Sequence, residues 1–240
     1  MIEIISHPSN RITWALLAFQ GGYVNAGGLL CLHLFVSHVT GFSTLFSQEI
    51  AAQNYMKSFY FLLVPVFFLL GAFFSSIFTE VRKSRKQPPV YIHILLLLAF
   101  IFSLVATFGT YGFFGQFGEP FGDLHDFLLL SLLALSCGAQ NAIITHYSGT
   151  IVRTTHLTGI TTDLGIGLAK YFVSNDKKEG RLNRMRIDLI VAFIVGSLVG
   201  VFAFPKLQFS GFFVSAALSL LVGIKLYSSR KSLIPQPKIP

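Results

Sequence analysis

One polar phrase occurs twice inside otherwise apolar sequence, and it limits what this chain can fold into. Ser37-His38-Val39-Thr40-Gly41 returns as Thr155-His156-Leu157-Thr158-Gly159. Gly22-Tyr23-Val24-Asn25-Ala26 precedes the first copy, and Gly138-Ala139-Gln140-Asn141-Ala142 precedes the second. Gly-x-x-Asn-Ala followed by [Ser/Thr]-His-x-Thr-Gly therefore holds in both halves. A duplicated unit that carries polar groups to membrane depth is the usual layout of a small-solute pathway.

Composition sets the medium. Of 240 residues, 53% are hydrophobic and 12% charged, against about 25% charged in a soluble domain. Several runs approach or exceed the ~20 apolar residues that cross a ~30 Å hydrocarbon core. Ile94 to Phe102 is apolar on every face, which excludes the alternating pattern of a membrane barrel. An all-α integral membrane protein is expected. The net charge of +8 is gathered at 82–86, at 177–186 and in the tail, at the ends of apolar runs. That fits the positive-inside rule. The basic segments are short and lack interleaved aromatics, so nucleic acid is not an expected partner. Cys31 and Cys137 lie in apolar segments and indicate neither a disulfide framework nor a zinc site. The first apolar run follows Arg11 without a small-residue cleavage site, and reads as a span and not as a signal peptide.

Six runs read as spans: Ile12 to Phe35, Phe59 to Val81, Tyr91 to Gly112, Phe127 to His146, Ile187 to Phe204 and Phe209 to Tyr227. The motif segments, Val36 to Ala52 and Thr150 to Phe172, lie between them. With both basic loops and the basic tail in the cytoplasm, and the acidic 113–126 loop outside, each motif segment must begin and end on one side. Both are then re-entrant, entering from opposite faces. Three spans per half is an odd number, which gives an inverted-topology repeat. Repeat one covers 12–113 and repeat two 126–228 of a single membrane domain 1–240, with a basic tail 229–240 and both termini cytoplasmic. The competing eight-span arrangement strands a basic cluster outside. Gly71-x-x-x-Ser75 and Gly196-x-x-x-Gly200 add matched small-residue pairs of the kind that let helices approach closely in lipid.

A re-entrant segment exposes backbone that only protein or a wet cavity can satisfy. Thr40 and Thr158 are expected to cap half-helices, with Gly41 and Gly159 allowing close approach. His38 and His156 then stand just before two helix starts and near each other. Two helix N-termini, each about half a positive charge, favour an anion or an acceptor-rich solute, and histidine adds a group that exchanges a proton near neutral pH. The plainer alternative is that each histidine packs a re-entrant turn. Asn25 and Asn141 can bond across helices or to a dipping loop, and Gln20 and Gln140 are weaker candidates of that kind. Arg153 is a fixed countercharge for an anion or a snorkelling edge residue. Asp163, whose counterpart is Leu45, and Glu49 can relay protons or pair with Arg153. Enzyme motifs are absent. A metal centre of His38, His156, Asp163 and Glu49 lacks a specifying ligand spacing, so neither a metal nor a cofactor is expected.

Three stretches resemble the YoaK-like family of bacterial membrane proteins: Gly22 to Ala26, Phe35 to Gly41 and Val152 to Gly165. The resemblance runs from about Trp14 to Tyr227. It implies a bacterial inner-membrane protein of about six spans and implies no substrate. Members often carry Asp where Asn25 stands, so a charge there is not essential here. Many carry Asn where Phe42 stands, which makes the first half-site less polar.

The expected function is a transporter or channel for a small, anionic solute, sited between two repeats, with His38, Thr40, Gly41, His156, Thr158 and Gly159 foremost, and Asn25, Asn141, Arg153 and Asp163 behind them. The alternatives are a non-catalytic membrane scaffold or regulatory subunit, with a homodimer as its partner, and a metal-dependent intramembrane enzyme.

Overall fold

A computed structural model describes residues 8–87, 91–147 and 157–233. They form eight α-helices and one 3₁₀ turn: α1 (Pro8–Leu32), α2 (Val39–Ala51), α3 (Tyr55–Ser84), α4 (Ile92–Thr110), α5 (Leu124–Tyr147), α6 (Leu157–Ser174), α7 (Lys177–Leu207), the turn Gln208–Gly211, and α8 (Phe212–Leu233). No strand occurs among the described residues.

Five helical stretches are long and apolar enough to cross a membrane: Arg11–Leu32, Tyr55–Arg82, Ile92–Thr110, Leu124–His146 and the 52-residue Lys177–Ser228. The last contains both α7 and α8, and α7 ends inside it at Gln208, whose φ of +49° breaks the helix. At 1.5 Å per residue, α2 is about 20 Å long, short of a ~30 Å core.

Some boundaries differ from the sequence reading. Residues 177–186, read as a basic loop, form the first turns of α7. Asp176 accepts from the Lys178 and Glu179 amides (2.8 and 3.4 Å), and Arg186 reaches back to Glu179 at 3.1 Å and to Asn183 at 2.7 Å. Side-chain caps and such pairs let a charged segment stay helical. The basic residue Arg82 likewise lies inside α3. Pro88 and Pro89 lie outside the described residues.

Close glycine crossings organise the packing. α1 packs along α7, and α3 along α5. A Cβ on Gly22 would overlap the Phe193 carbonyl, and one on Gly196 the Phe19 carbonyl. A Cβ on Gly71 would overlap the Leu135 carbonyl, and one on Gly138 the Phe68 carbonyl. Each crossing therefore joins two helices backbone to backbone, as small residues permit in lipid. Both pairs run parallel. Along α1 and α7, Arg11 meets Asp188, Phe19 meets Gly196, and Gly27 meets Phe204. Along α3 and α5, Tyr60 stacks on Phe127, Gly71 meets Leu135, and Glu80 lies 3.5 Å from His146.

α4 and α8 pack antiparallel on each other, with Gly109 against Phe209 and Gly223 against Leu95. α8 also lies against α1, where Gln20 donates to Ser219 (2.8 Å) and Tyr23 to the Gly211 carbonyl (3.1 Å). α4 lies against α5. Gln140 donates to the Leu17 carbonyl (2.8 Å), joining α5 to α1. Gln20 and Gln140 are both buried, so they act as interhelical ties.

The loop 111–123 closes one end with aromatic rings. Phe117 stacks on Phe204, and Phe121 packs on Phe61 (5.2 Å). It ends on a reciprocal cap: Asp123 accepts from the His125 and Asp126 amides, and Asp126 accepts from the Gly122 amide. The Asp126 amide is the main cause holding the Asp123 carboxyl below its ordinary value. A depressed carboxylate stabilises the fold above its unfolded pKa and loses that effect as pH falls through its folded value. Protection of the amides at 124–127 against hydrogen exchange, taken relative to the intrinsic rate at each pH, should therefore fall on acidification below the ordinary carboxylate range. In an Asp123→Asn variant that acid-dependent step should shrink.

Candidate functional site

α1 ends where His33 takes φ +57°, and the chain then reverses. Histidine tolerates this left-handed conformation better than most residues. Its Nε2 lies 2.9 Å from the Gly118 carbonyl, tying the reversal to the closing loop. The segment 33–38 then runs back along α1. Val36 covers Gly28, and Ser37 donates to Asn25 Oδ1 through its hydroxyl (3.0 Å) and its amide (3.4 Å). Asn25 is seven residues before Leu32, so the chain retreats about 10 Å along the helix. Asn25 thus holds the returning segment 33–38 against α1.

α2 starts at that depth and returns antiparallel to α3. Phe42 packs near Phe61 (6.1 Å), and Ser58 donates to the Phe46 carbonyl (3.3 Å). The helix starts one residue before the expected cap. His38 is the N-cap residue, it makes no side-chain cap bond, and Thr40 falls within the first turn. His38 is exposed, its ring is edge-on to Phe35 (6.5 Å), and Nδ1 lies over Gly41. Gly41 matters because a Cβ there would press on the imidazole at 3.0 Å.

The second copy is described from Leu157 onward; His156, Arg153 and Thr155 lie outside the described residues. Thr158 is again inside the first turn, where its carbonyl accepts from Thr162 (3.0 Å). Gly159 is half-buried and Asp163 exposed. Asn141 is half-buried, and its Oδ1 is sealed from solvent without a hydrogen-bond partner among the described residues. α6 runs antiparallel to α7, with Gly167 over the Glu179–Asn183–Arg186 cluster and Tyr171 over Gly180. Glu49 is engaged by Lys57 (3.6 Å) and Asn54 (2.9 Å). Among the described residues, no three His, Cys, Asp or Glu side chains gather as a metal site would require.

The expected approach of His38 to His156 lies outside the described residues, and within them the two motif helices pack on different partners. α2 packs on α3, and α6 on α7, and no substantial α2–α6 interface forms. The glycine crossings fasten α3 to α5 and α7 to α1, so α2 and α6 each belong to a different helix pair.

The short helices share a feature that single residues do not reveal. Thr40, Ser43, Thr44 and Ser47 are all exposed, while Phe42 on the opposite face is buried. Thr158, Thr161, Thr162 and Gly165 are exposed likewise, while Ile160 is buried. The residue shift that aligns the two His-x-Thr-Gly phrases maps one stripe onto the other, position by position. Ser43, Thr44, Ser47, Thr161 and Thr162 were missed in the sequence; extending the phrase alignment along one helical face would have found them.

Apolar helices of spanning length, with charge at their ends, define a helical membrane protein. The chain belongs to the family described as protein of unknown function, DUF1275, whose model matches residues 13–225. That assignment is consistent with the YoaK-like resemblance of the three motif stretches. No curated protein and no solved structure matches the chain.

Proposed function

We propose that this protein is a bacterial inner-membrane transporter or channel for a small anionic or acceptor-rich solute, with one half-site opening toward each face. The supporting observation is the pair of matched exposed stripes on α2 and α6, which carry hydroxyls at three shared positions (Thr40, Ser43, Thr44 and Thr158, Thr161, Thr162) opposite the buried Phe42 and Ile160. Hydroxyls facing hydrocarbon lose their hydrogen bonds to water. Facing a wet path, the same groups replace part of a solute's hydration shell.

In this reading the chain crosses six times, α2 and α6 are re-entrant from opposite faces, and the halves form an inverted-topology repeat. Support comes from the pairings. Exchanging α1–α4 for α5–α8 turns α1·α7 into α5·α3, α2·α3 into α6·α7 and α1·α8 into α5·α4, and all of these contacts occur. One residue shift relates Gly22 to Gly138 and Phe19 to Leu135; another relates Gly71 to Gly196 and Phe68 to Phe193. His38, Thr40, Gly41 and Asn25 belong to one half-site. His156, Thr158, Gly159, Asn141, Arg153 and Asp163 belong to the other. No enzymatic chemistry is part of the proposal.

The test is anion flux in proteoliposomes, using chloride, nitrate, formate and phosphate. Wild type is expected to conduct at least one of them, and the His38→Ala/His156→Ala protein is expected to lose most of that flux. Undiminished flux in the double variant would refute the site.

A second reading is favoured by the exposure of Thr40, Ser43, Thr44, Thr158, Thr161 and Thr162, which leaves these faces open to a partner. The same stripes would pack against a second copy, making the protein a scaffold or regulatory subunit. Cysteine crosslinks between copies through positions 44 or 162, together with absence of flux for every probe, would support it over the first.

A further inference from the structure

A groove of about 630 Å³ runs between α1 and α7, open to the side. Ile12, Ala15, Leu16 and Phe19 line one wall, and Val191, Ala192 and Val195 the other. The Arg11–Asp188 ion pair closes one end, with Arg11 Nε 3.0 Å from Asp188 Oδ2. From Arg11 to Phe19 the groove follows α1 for about 12 Å, most of one ~15 Å leaflet.

Cationic groups continue the groove beyond its apolar part. Val195, Val191, Asp188, Arg184 and Arg181 succeed one another at alternating spacings of four and three, which keeps them on one face of α7. Arg181 and Arg184 are exposed. The feature belongs to one end of the molecule only. The shift that maps Gly22 onto Gly138 maps Arg11 onto Phe127, and the shift that maps Gly196 onto Gly71 maps Asp188 onto Leu63. The two halves thus share the glycine crossing but not the charges.

We propose that this groove is a binding site for an anionic phospholipid of the leaflet that meets the 177–186 basic segment. One acyl chain lies between α1 and α7. The phosphate sits by Arg184 and Arg181, within reach of Arg11. Apolar lining alone would accept any lipid; the row of cations leading out of it selects charge, since each surface Lys or Arg attracts anionic lipid. The site is separate from the hydroxyl stripes and stands whether or not they conduct a solute.

The experiment uses the full-length protein in detergent, with retention of phosphatidylglycerol and phosphatidylcholine read by native mass spectrometry. Wild type should retain phosphatidylglycerol in preference. The Arg181→Gln/Arg184→Gln variant keeps the Arg11–Asp188 pair, and its retention of phosphatidylglycerol should fall about 30-fold. Ala192→Trp should fill the groove and reduce retention of both lipids. Equal retention of the two lipids by wild type, or undiminished phosphatidylglycerol binding by the double arginine variant, would overturn the proposal. Binding of free glycerol phosphate as tight as that of the lipid would also overturn it, because the groove would then contribute nothing. Should Ala192→Trp fail to fold, the arginine variant decides.

Discussion

Gly22→Ala, Gly196→Ala, Gly71→Ala and Gly138→Ala should each destabilise the protein by about 3 kcal/mol or more, the upper range for forcing atoms into a packed site. At each position a single added methyl meets a carbonyl oxygen of the facing helix and not a side chain that can swing aside. Relief requires moving whole helices. The effects should come in matched pairs: Gly22 with Gly138, because each is the glycine of a Gly-x-x-Asn-Ala phrase, and Gly71 with Gly196. Thermal unfolding in detergent measures this. Gly165→Ala is the internal control. A Cβ there meets nothing, and alanine is the better helix former by about 1 kcal/mol, so that variant should be no less stable than wild type. Four tolerated crossing variants would mean that the helices do not meet backbone to backbone.

Thr40→Val/Thr44→Val and Thr158→Val/Thr162→Val should each cut anion flux about 10- to 100-fold while leaving the unfolding temperature nearly unchanged. Valine keeps the shape of threonine and removes only the hydroxyl. All four residues are exposed, so no buried hydrogen-bond partner is orphaned. Hydrogen bonds to a charged solute contribute about 1.5–3 kcal/mol each, and the loss of one or two accounts for that range of rate. The two double variants sit in opposite halves, so comparable losses from both are expected for a path that crosses the membrane. A loss from only one would confine the solute to a single half-site.

Much of the fold was legible in the residues. Continuous apolar runs bounded by Arg82, Lys83, Arg85 and Lys86, and by the 177–186 cluster, mark the long helices, and the doubled phrase marks the two short ones. Asn25 was readable as a hydrogen-bonding partner because an amide inside an apolar helix needs a bond, and Ser37 supplies it. Three things were not legible. The start of α2 depends on the backbone at His38, which propensity does not specify, so the cap was assigned to Thr40. The helicity of 177–186 depends on Asp176 and on the return of Arg186 to Glu179, contacts that a charge count does not resolve. The separate packing of α2 on α3 and of α6 on α7 follows from which helix each glycine crosses. Gly71-x-x-x-Ser75 declares that a partner exists and does not say that the partner is α5. The hydroxyl stripes were hidden for another reason: serine and threonine are ordinary in any loop, and these became a pattern only once a shared helical face was established.

Single cysteines at positions 54 and 174, labelled in sealed vesicles by a membrane-impermeant reagent, test the proposed entry of α2 and α6 from opposite faces most directly. Both native cysteines are buried, which keeps the background low. Position 54 should react from one face, and position 174 only from the opposite face, the one that carries the 82–86 and 177–186 charges. Reaction of both from the same face would contradict the opposed entry of the two short helices and, with it, the pathway built on them.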